Sequence, residues 1–252
     1  MAQHARDIKP LFWLYQVYKF IIFYPLLGIG WSVIFFFFML FLFLGLPAIS
    51  TKLAIIWARY SSFITPMRVR VIGADNFEPG QSYVMVSNHQ SQYDAFIIYG
   101  WLPVDFKCVM KIELRKVPII GPGCYRMGHI FIDRTDHASA LKAINSAKER
   151  ITNGTSIIFF PEGTRSRSGE LLPFKKGAFT FAVDIGLPLL PITIVGTKDI
   201  LPDRTTALFP GNALLIIHKP IPVEGYHSGN LTELSDRVRA AIQSGLDRYG
   251  EK

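Results

Sequence analysis

A long segment without charge limits what this chain can fold into. From Phe20 to Thr51 no residue is charged, and Phe35–Leu46 reads FFFFMLFLFLGL. A membrane span needs roughly 20 apolar residues, so the segment is long enough to lie in a bilayer. A soluble core of this size does not need so much contiguous hydrocarbon. We therefore predict an N-terminal membrane-associated helical segment, residues 1–60, followed by a separate domain, residues 61–252.

Three residues interrupt the apolar run and divide it into two pieces. Pro25, Gly28 and Gly30 separate Leu11–Tyr24 from Trp31–Leu46. Basic residues flank the run on both sides, at Arg6, Lys9 and Lys19 before it and at Lys52, Arg59, Arg68 and Arg70 after it. A single span carries its positive excess on one side, so these flanks favour a two-helix hairpin that enters one leaflet and returns, with a true span as the alternative. A cleaved signal peptide would be shorter and would begin earlier.

The net charge indicates which partners to expect, and the cysteine spacing indicates which kinds of site to expect. The formal net charge is +8, and beside a membrane segment this favours anionic lipid or a phosphorylated substrate. Nucleic acid is not expected, because no basic stripe is interleaved with aromatic residues. Cys108 and Cys124 have neither Cys-x-x-Cys spacing nor a partnering His, so we expect two reduced thiols and no zinc or redox site.

After the apolar segment, strand-like and helical patterns alternate. The strand-like runs are Met67–Gly73, Tyr83–Ser87, Phe106–Met110, Ile130–Ile132, Ser156–Phe160, Leu189–Val195 and Leu214–His218. Apolar residues recur at helical spacing over His137–Thr152 and Leu231–Tyr249. Strands alternating with helices predict an α/β domain with a central sheet covered on both faces.

The stretch NHQSQYD, Asn88–Asp94, follows directly on a strand-like run. On one continuous helix, His89 and Asp94 would point about 140° apart. They can meet if His89 lies in the turn after the strand and Asp94 begins the helix that the apolar run Ala95–Leu102 predicts. Asp94 would then hold one ring nitrogen and leave the other free to accept a proton, as in a triad without its nucleophile. Because the chain has no Gly-x-Ser-x-Gly motif, we expect the pair to activate a hydroxyl of the substrate.

A second group of polar residues follows the apolar run Ile157–Phe160. Pro161 follows this run, and Glu162, Gly163, Thr164 and Arg165 come directly after it. A glycine at a strand end lets backbone amides turn toward an anion, and arginine offers a bidentate fork for phosphate oxygens. Lys111 and Arg134 come at the ends of two further strand-like runs. Ligands of α/β sheets bind beyond the carboxyl ends of strands, so these groups could converge on one cleft.

Taken in order, these blocks resemble those of the glycerolipid acyltransferases. NHQSQYD is similar to the Asn-His-x4-Asp block of that family, GHIFIDR to its second block, FPEGTRS to its third and LPLLPITI to its fourth. The resemblance covers about residues 65–220. The length of the chain and its apolar N-terminal segment resemble the 1-acyl-sn-glycerol-3-phosphate (lysophosphatidate) acyltransferase branch.

This resemblance implies a central mixed sheet flanked by helices, and acyl transfer from acyl-CoA or acyl carrier protein to the sn-2 hydroxyl of lysophosphatidate, giving phosphatidate. His89 would be the general base and Asp94 would orient it. The acceptor phosphate would lie among Lys111, Arg134 and Arg165. Glu162 and Gly163 would shape the floor of that site, with Glu162 holding Arg165 or the glycerol, and Thr164 would also bind the substrate. No metal or cofactor is required. We expect a bacterial inner-membrane protein whose catalytic domain faces the cytoplasm.

Two alternatives stay open at this point. The nearer one is an acyltransferase that acts on another lysolipid, such as a lyso-ornithine lipid or a lysophospholipid with a larger head group. The remoter one is a non-catalytic membrane protein that binds anionic lipid through its basic surface. The intact pair of His89 and Asp94 argues against the second alternative.

Overall fold

The structure is a computed structural model. It describes residues 9–118, 120–133, 136, 139, 142–144, 146, 148, 151 and 153–250. Arg134 and most of the predicted helix His137–Thr152 therefore lie outside the described residues, although residues 142–144 are helical.

The N-terminal segment is one continuous helix. Helix α1, Lys9–Tyr18, passes through a π-helical turn, Lys19–Phe23, into α2, Tyr24–Phe43. The predicted break at Pro25 is therefore wrong. The proline lies in the first turn of α2, and the wider π-turn before it relieves the clash that a proline ring otherwise makes inside a helix.

The glycine at position 30 serves helix packing and does not end the helix. A Cβ atom added to Gly30 would overlap the ring of Tyr60, which lies on the next helix, α3, Pro47–Ile64. The phenol of Tyr60 donates a hydrogen bond to the carbonyl oxygen of Leu26 at 2.5 Å. The small residue thus allows two helices to approach closely, at the modest cost in helix propensity that glycine carries.

Helices α2 and α3 form an antiparallel pair. The Trp31 indole donates to Ser61 Oγ at 3.0 Å, and Ser50 Oγ donates to the Phe38 carbonyl oxygen at 3.3 Å. The turn between them includes Gly45, whose φ of 73° is in the left-handed region. The reversal of the chain thus lies some fifteen residues later than the sequence predicted, because the apolar run continues as helix up to Phe43.

Among the described residues, one helix, Trp13–Phe43, is long and apolar enough to cross a membrane, with a mean hydropathy of 2.5. Helix α3 differs from it in being partly buried in the protein, because its residues Ala58, Ser61 and Ile64 are covered by other parts of the chain. The predicted pair of apolar helices is thus one apolar helix and one helix packed on the α/β domain. The division proposed between residues 1–60 and 61–252 falls inside α3 and stays a prediction.

The domain that follows is built on a seven-stranded mixed sheet, as predicted. Its strands are β1 Met67–Ile72, β2 Val84–Ser87, β3 Phe106–Lys111, β4 Ile130–Ile132, β5 Ser156–Phe159, β6 Leu189–Val195 and β7 Gly211–Ile217. The strand order is β1-β7-β6-β2-β5-β3-β4, and every neighbouring pair is parallel except β6–β7. The carboxyl ends of β2 to β6 therefore share one edge.

Helices cover both faces of this sheet. They are α4 Asp94–Trp101, α5 Ile120–Arg126, α6 Gly177–Ile185, α7 Thr197–Ile200 and α8 Leu231–Tyr249, with a 3₁₀ turn at Ile112–Lys116. One buried cluster lies between the sheet and helices α6 and α8. The other lies beneath α3 and α4 and includes Phe23 of the π-turn, so the N-terminal helix packs on this second face.

The predicted strands match the observed ones closely. Ile130–Ile132 and Leu189–Val195 agree at both ends, and helix α8 has its predicted bounds. The largest difference is at β7, which begins at Gly211 and not at Leu214. Residues 211–213 pair with β1, and this pairing has no signal in the local sequence.

Candidate active site

The candidate site lies where three neighbouring parallel strands end. Strand β2 is flanked by β5 and β6, so the loop after β2 lies between the loops that follow the other two. His89 lies in this central loop, and Asp94 is the first residue of α4. This is the arrangement that the sequence predicted for the two residues.

The imidazole of His89 and the carboxylate of Asp94 are in direct contact. His89 Nδ1 lies 2.7 Å from Asp94 Oδ2. Asp94 is fully buried, and further hydrogen bonds fix it: the Gln90 and Ser91 amides donate to Oδ2 at 2.7 and 3.0 Å, and the Thr197 hydroxyl donates to Oδ1. A carboxylate surrounded by donors is an acceptor, so the ring proton is assigned to Nδ1 and Nε2 carries the lone pair.

The other edge of the imidazole is open. The His89 side chain is 24% exposed, and Nε2 has no hydrogen-bond partner among the residues that the structure describes. The ring stacks on Phe160, with centroids 4.1 Å apart and planes 28° apart. This stacking and the bond to Asp94 together fix the direction of Nε2. The ring can therefore take a proton from a group that enters the site.

Glu162 supports the His89 loop. Its Oε1 accepts a hydrogen bond from the main-chain N–H of His89 at 2.8 Å, and its Oε2 accepts one from Leu172 N–H at 2.9 Å. Burial raises the pKa of this carboxyl above its usual value, although the two N–H donors oppose the change. The predicted contact between Glu162 and Arg165 is absent from the described contacts, because both carboxylate oxygens bind main-chain amides.

The loop Gly163–Ser166 packs against the His89 loop. Gly163 has a φ of 72°, which favours glycine, and its N–H donates to the Phe160 carbonyl oxygen at 3.0 Å. Thr164 is exposed. The N–H of Ser166 donates to the carbonyl oxygen of His89 at 2.8 Å. The loop is therefore attached to the main chain of the histidine itself, and Arg165 precedes this point of attachment.

Arg165 has a different carboxylate partner from the one predicted. Its Nε lies 2.9 Å from Oδ1 of Asp203, a residue in the loop after α7. This loop is also attached to the histidine loop, because Ser91 Oγ donates to the Leu201 carbonyl oxygen at 2.6 Å. Both sides of the ion pair are therefore fixed to residues within two positions of His89.

Lys111 lies at the end of β3, which is separated from the strand of the histidine loop by β5. Its ammonium forms an ion pair with Glu113 at 2.8 Å, and about half of the lysine side chain is exposed. Strand β5 lies between β3 and β2, so the ends of β3 and β2 are about 10 Å apart at the usual strand spacing. A role for Lys111 and for Arg134 at the acceptor phosphate stays a prediction.

Three residues at the site were not predicted from the sequence. The Asn88 side chain pairs with the main chain of Ile194 through two hydrogen bonds of 2.8 Å and so fixes the loop to β6. Thr197 binds Asp94, and Asp203 binds Arg165. Thr197 had a detectable signal, because it is a polar residue that follows a buried strand and a glycine. Asp203 had none, since its position depends on how a long loop folds.

Neither cysteine is suited to nucleophilic catalysis. Burial raises the pKa of Cys108 to about 12 and that of Cys124 to about 11, so both thiols are protonated at neutral pH. Among the described residues, no three His, Cys, Asp or Glu side chains are grouped in a way that could hold a metal ion. The chemistry available at this site is that of the imidazole and its carboxylate, beside a cationic loop.

Comparisons with known proteins agree with this geometry. A sequence profile described as Acyltransferase matches residues 68–195, half of the chain. Human 1-acyl-sn-glycerol-3-phosphate acyltransferase alpha is 35% identical over 181 residues, which are 71% of this chain and 64% of the human protein. A chloroplastic 1-acyl-sn-glycerol-3-phosphate acyltransferase of Arabidopsis thaliana is 36% identical over 198 residues, which are 77% of this chain and 53% of the Arabidopsis protein. The chain thus matches roughly half to two thirds of the length of these curated relatives.

A solved structure is similar over the whole chain. It is the crystal structure of the 1-acyl-sn-glycerophosphate (LPA) acyltransferase PlsC from Thermotoga maritima, at a TM-score of 0.75 and 27% identity. The match covers 100% of this chain and 99% of that one. The profile match includes both His89 and Asp94 and ends at the last residue of β6. With its fold, its histidine–aspartate pair and these relatives, the chain belongs to the acyltransferase family.

Proposed function

We propose that the protein is a 1-acyl-sn-glycerol-3-phosphate acyltransferase, which transfers an acyl group from a thioester to the sn-2 hydroxyl of lysophosphatidate. The observation that carries this assignment is the hydrogen bond between His89 Nδ1 and buried Asp94. It leaves Nε2 open beside the loop Gly163–Ser166, which carries Arg165 and which we call the arginine loop. The names of the relatives support the same acceptor.

The reaction begins with general-base catalysis by His89. Its Nε2 takes the proton of the acceptor hydroxyl as that oxygen attacks the thioester carbonyl carbon. Asp94 stabilises the imidazolium that forms. When the tetrahedral intermediate collapses, the carbon–sulfur bond breaks and the imidazolium returns its proton to the leaving thiolate. General acid–base catalysis of this kind typically contributes 10²–10⁴-fold to the rate.

The acyl group passes directly to the acceptor in this mechanism. Ser87 and Ser91, each two residues from His89, both have a hydroxyl that donates to a main-chain carbonyl oxygen: Ser91 Oγ donates to Leu201, and Ser87 Oγ donates to Asn88. The thiols of both cysteines are protonated at neutral pH. A thioester donor, acyl-CoA or acyl carrier protein, is already activated, so a covalent acyl-enzyme is not needed.

The acceptor phosphate binds at the loop after β5. Arg165 supplies a guanidinium beside the histidine loop, and Gly163 turns the backbone of the same loop. Thr164 is exposed next to both and can donate its hydroxyl to the phosphate or to the glycerol. Glu162 holds the loop from below. Lys111 and Arg134 are further candidates for binding the same phosphate.

The apolar N-terminal helix brings the site to its lipid substrate. Phe209, in the loop that carries Asp203, stacks on Tyr15 of α1 with ring centroids 6.4 Å apart. The arginine loop, the histidine loop and the apolar helix are therefore neighbours. We place the helix in the inner membrane of a bacterium, with the catalytic domain on the cytoplasmic side, where the donor thioester is found.

An assay with defined substrates tests this function. Purified full-length protein in detergent is given acyl-CoA and lysophosphatidate, with release of the free thiol followed spectroscopically and phosphatidate identified by mass spectrometry. Parallel reactions contain lysophosphatidylcholine, a lyso-ornithine lipid or no acceptor. We expect the rate of acylation of lysophosphatidate to be well above the rate with any of the other acceptors. Acylation of another lysolipid in preference to lysophosphatidate, or no acylation at all, would overturn the assignment.

A further inference from the structure

Three arginines surround one buried carboxylate at the edge of the candidate site. Asp203 is 6% exposed, and its oxygens lie 2.9 Å from Arg165 Nε, 3.9 Å from Arg167 Nε and 3.7 Å from Arg204 Nε. Arg165 is partly exposed, and the other two arginines are largely exposed. We call these four residues the arginine cluster.

The main chain attaches the cluster to the catalytic histidine loop from two directions. Ser166, between Arg165 and Arg167, donates its N–H to the His89 carbonyl oxygen. On the other side, Ser91 Oγ donates to Leu201, two residues before Asp203. Because both attachments are hydrogen bonds to residues 89–91, the cluster lies directly beside the loop that carries the histidine.

The charge of the cluster is not balanced within it. Three guanidinium groups carry +3, and one carboxylate carries −1, so a net charge of +2 remains. Arginines placed together repel one another unless an anion lies between them. The cluster therefore has the charge to bind one dianion, and a phosphate monoester carries nearly two negative charges at neutral pH.

The backbone and the contacts also suggest a site built for a ligand. Arg204 has a φ of 57°, in the left-handed region that non-glycine residues seldom adopt, and such residues are concentrated at ligand clamps. Asp203 Oδ1 is buried and accepts no directed hydrogen bond from the described residues, although Arg165 Nε is close to it. The Arg165 side chain is 28% exposed, so part of its planar guanidinium fork can bind a phosphate oxygen while the ion pair with Asp203 remains.

We infer that Arg165, Arg167 and Arg204, gathered by Asp203, form the binding site for a dianionic phosphate monoester head group, and that Arg167 and Arg204 make the enzyme prefer a monoester to a diester acceptor. This inference rests on the proposed function, because the acceptor is a lysolipid. Arg165 holds the phosphate beside His89. Arg167 and Arg204 add the second positive charge, which a singly charged diester does not use. Asp203 is a positioning residue for all three.

The test is steady-state kinetics of Arg167→Gln and Arg204→Gln in the full-length protein. For each variant we expect the KM for lysophosphatidate to rise about 10-fold, the effect of one lost charge-assisted hydrogen bond. The KM for lysophosphatidylglycerol, a diester, should change less than about twofold, as should kcat and the donor KM. Arg204→Lys should recover part of the loss, because it restores charge without the planar fork. Arg237→Gln, at an exposed position of α8, is the matched control.

The pH dependence gives a second readout. The second ionisation of a phosphate monoester has a pKa near 6. In the wild type the KM for lysophosphatidate should therefore fall as the pH rises from about 5.5 to about 7.5, and in the Arg167→Gln/Arg204→Gln double variant this fall should be much smaller. A merely structural role for the arginines would not produce this difference.

The possible failures are distinguishable. If the single variants keep the wild-type KM for lysophosphatidate, or if the donor KM rises instead, the inference is overturned while the proposed function stands. If the wild type does not acylate lysophosphatidate, the proposed function fails. The site is then tested by calorimetric titration with glycerol 3-phosphate. Weaker binding by Arg204→Gln than by the wild type supports the site, and equal binding overturns it.

Discussion

The main-chain nitrogen of His89 donates a hydrogen bond of 2.8 Å to the carboxylate of Glu162, which helps to join the loops that follow β2 and β5. The second oxygen of the same carboxylate accepts from Leu172. A residue expected to shape the phosphate site is therefore part of the support beneath the base. This explains why a buried acidic residue is tolerated next to a buried aspartate, since each carboxylate oxygen has a donor.

Glu162→Gln tests this supporting role. A glutamine offers one acceptor oxygen, so either the His89 or the Leu172 N–H loses its partner, at a cost of roughly 1–3 kcal/mol in the free energy of unfolding. We expect kcat to fall and the acceptor KM to change little. Urea unfolding and initial rates measure both effects, and Glu224→Gln, at an exposed position, is the control. A variant with wild-type stability and a raised acceptor KM would show that Glu162 contacts the acceptor.

Asp94→Asn tests the assignment of the ring proton. Oδ2 of Asp94 faces His89 Nδ1 and the Gln90 and Ser91 N–H groups, whereas Oδ1 faces Thr197. In the asparagine variant, an amide oxygen at the Oδ2 position lacks the charge that stabilises the imidazolium. An NH₂ at that position would force the ring proton onto Nε2, the wrong nitrogen for a base. We expect kcat to fall roughly 10²-fold or more with a small change in the acceptor KM. A variant that retained wild-type kcat would mean that Asp94 does not set the tautomer.

The buried histidine of the second sequence block predicts a pH dependence of stability. His129 Nδ1 accepts the N–H of Cys108 at 3.0 Å, and Nε2 lies 2.8 Å from the Tyr99 hydroxyl. Burial lowers the pKa of His129 from 6.5 to about 4. Below about pH 6.5 the imidazole is protonated in the unfolded state but stays neutral in the folded state. The contribution of His129 to stability is therefore complete above that pH and is lost as the pH falls toward 4.

A pKa difference of this size corresponds to about 3 kcal/mol once the loss is complete. Urea unfolding in detergent at pH 7.5 and pH 5 measures a large part of it. His129→Gln should reduce the dependence without abolishing it, because burial also lowers the pKa of His218. If the two proteins lose the same stability between these pH values, His129 is not the group responsible.

The packing of the N-terminal helix predicts its topology. Phe23 is buried in the core beneath α3 and α4, and a Cβ added to Gly123 of α5 would overlap the ring of Phe38. Tyr15 also stacks on Phe209, so the contacts with the α/β domain extend over most of the apolar helix. A helix that crosses the bilayer could not make them all with a domain on one side. We expect it to lie within one leaflet, with its apolar outer surface in lipid.

Cysteine labelling measures this topology. Single cysteines at Arg6, Lys52 and His227, in a Cys108→Ser/Cys124→Ser background, should all react with a membrane-impermeant maleimide from the cytoplasmic side. His227, an exposed residue of the α/β domain, marks the side on which that domain lies. Labelling of Arg6→Cys from the side opposite to His227→Cys would establish a true span and remove the proposed topology.

The sheet and the pair of His89 and Asp94 could be predicted because their signals are local. Buried parallel strands are continuous apolar runs, and the histidine and aspartate are separated by one turn that has its own polar residues. The partners of Glu162 and Arg165 could not be predicted, because they depend on contacts between loops far apart in sequence. The helix break at Pro25 was predicted wrongly since a π-turn, which has no sequence signature, accommodates the proline.

The most direct test is the initial rate of acyl transfer from acyl-CoA to lysophosphatidate by the wild type and by His89→Ala. The exposed His227→Ala is the control, and urea unfolding establishes that all three proteins are folded. We predict that His89→Ala remains folded under the assay conditions and lowers kcat by roughly 10²-fold or more, while His227→Ala retains wild-type activity. A folded His89→Ala protein with kcat within about threefold of the wild type would contradict the role of His89 as the general base.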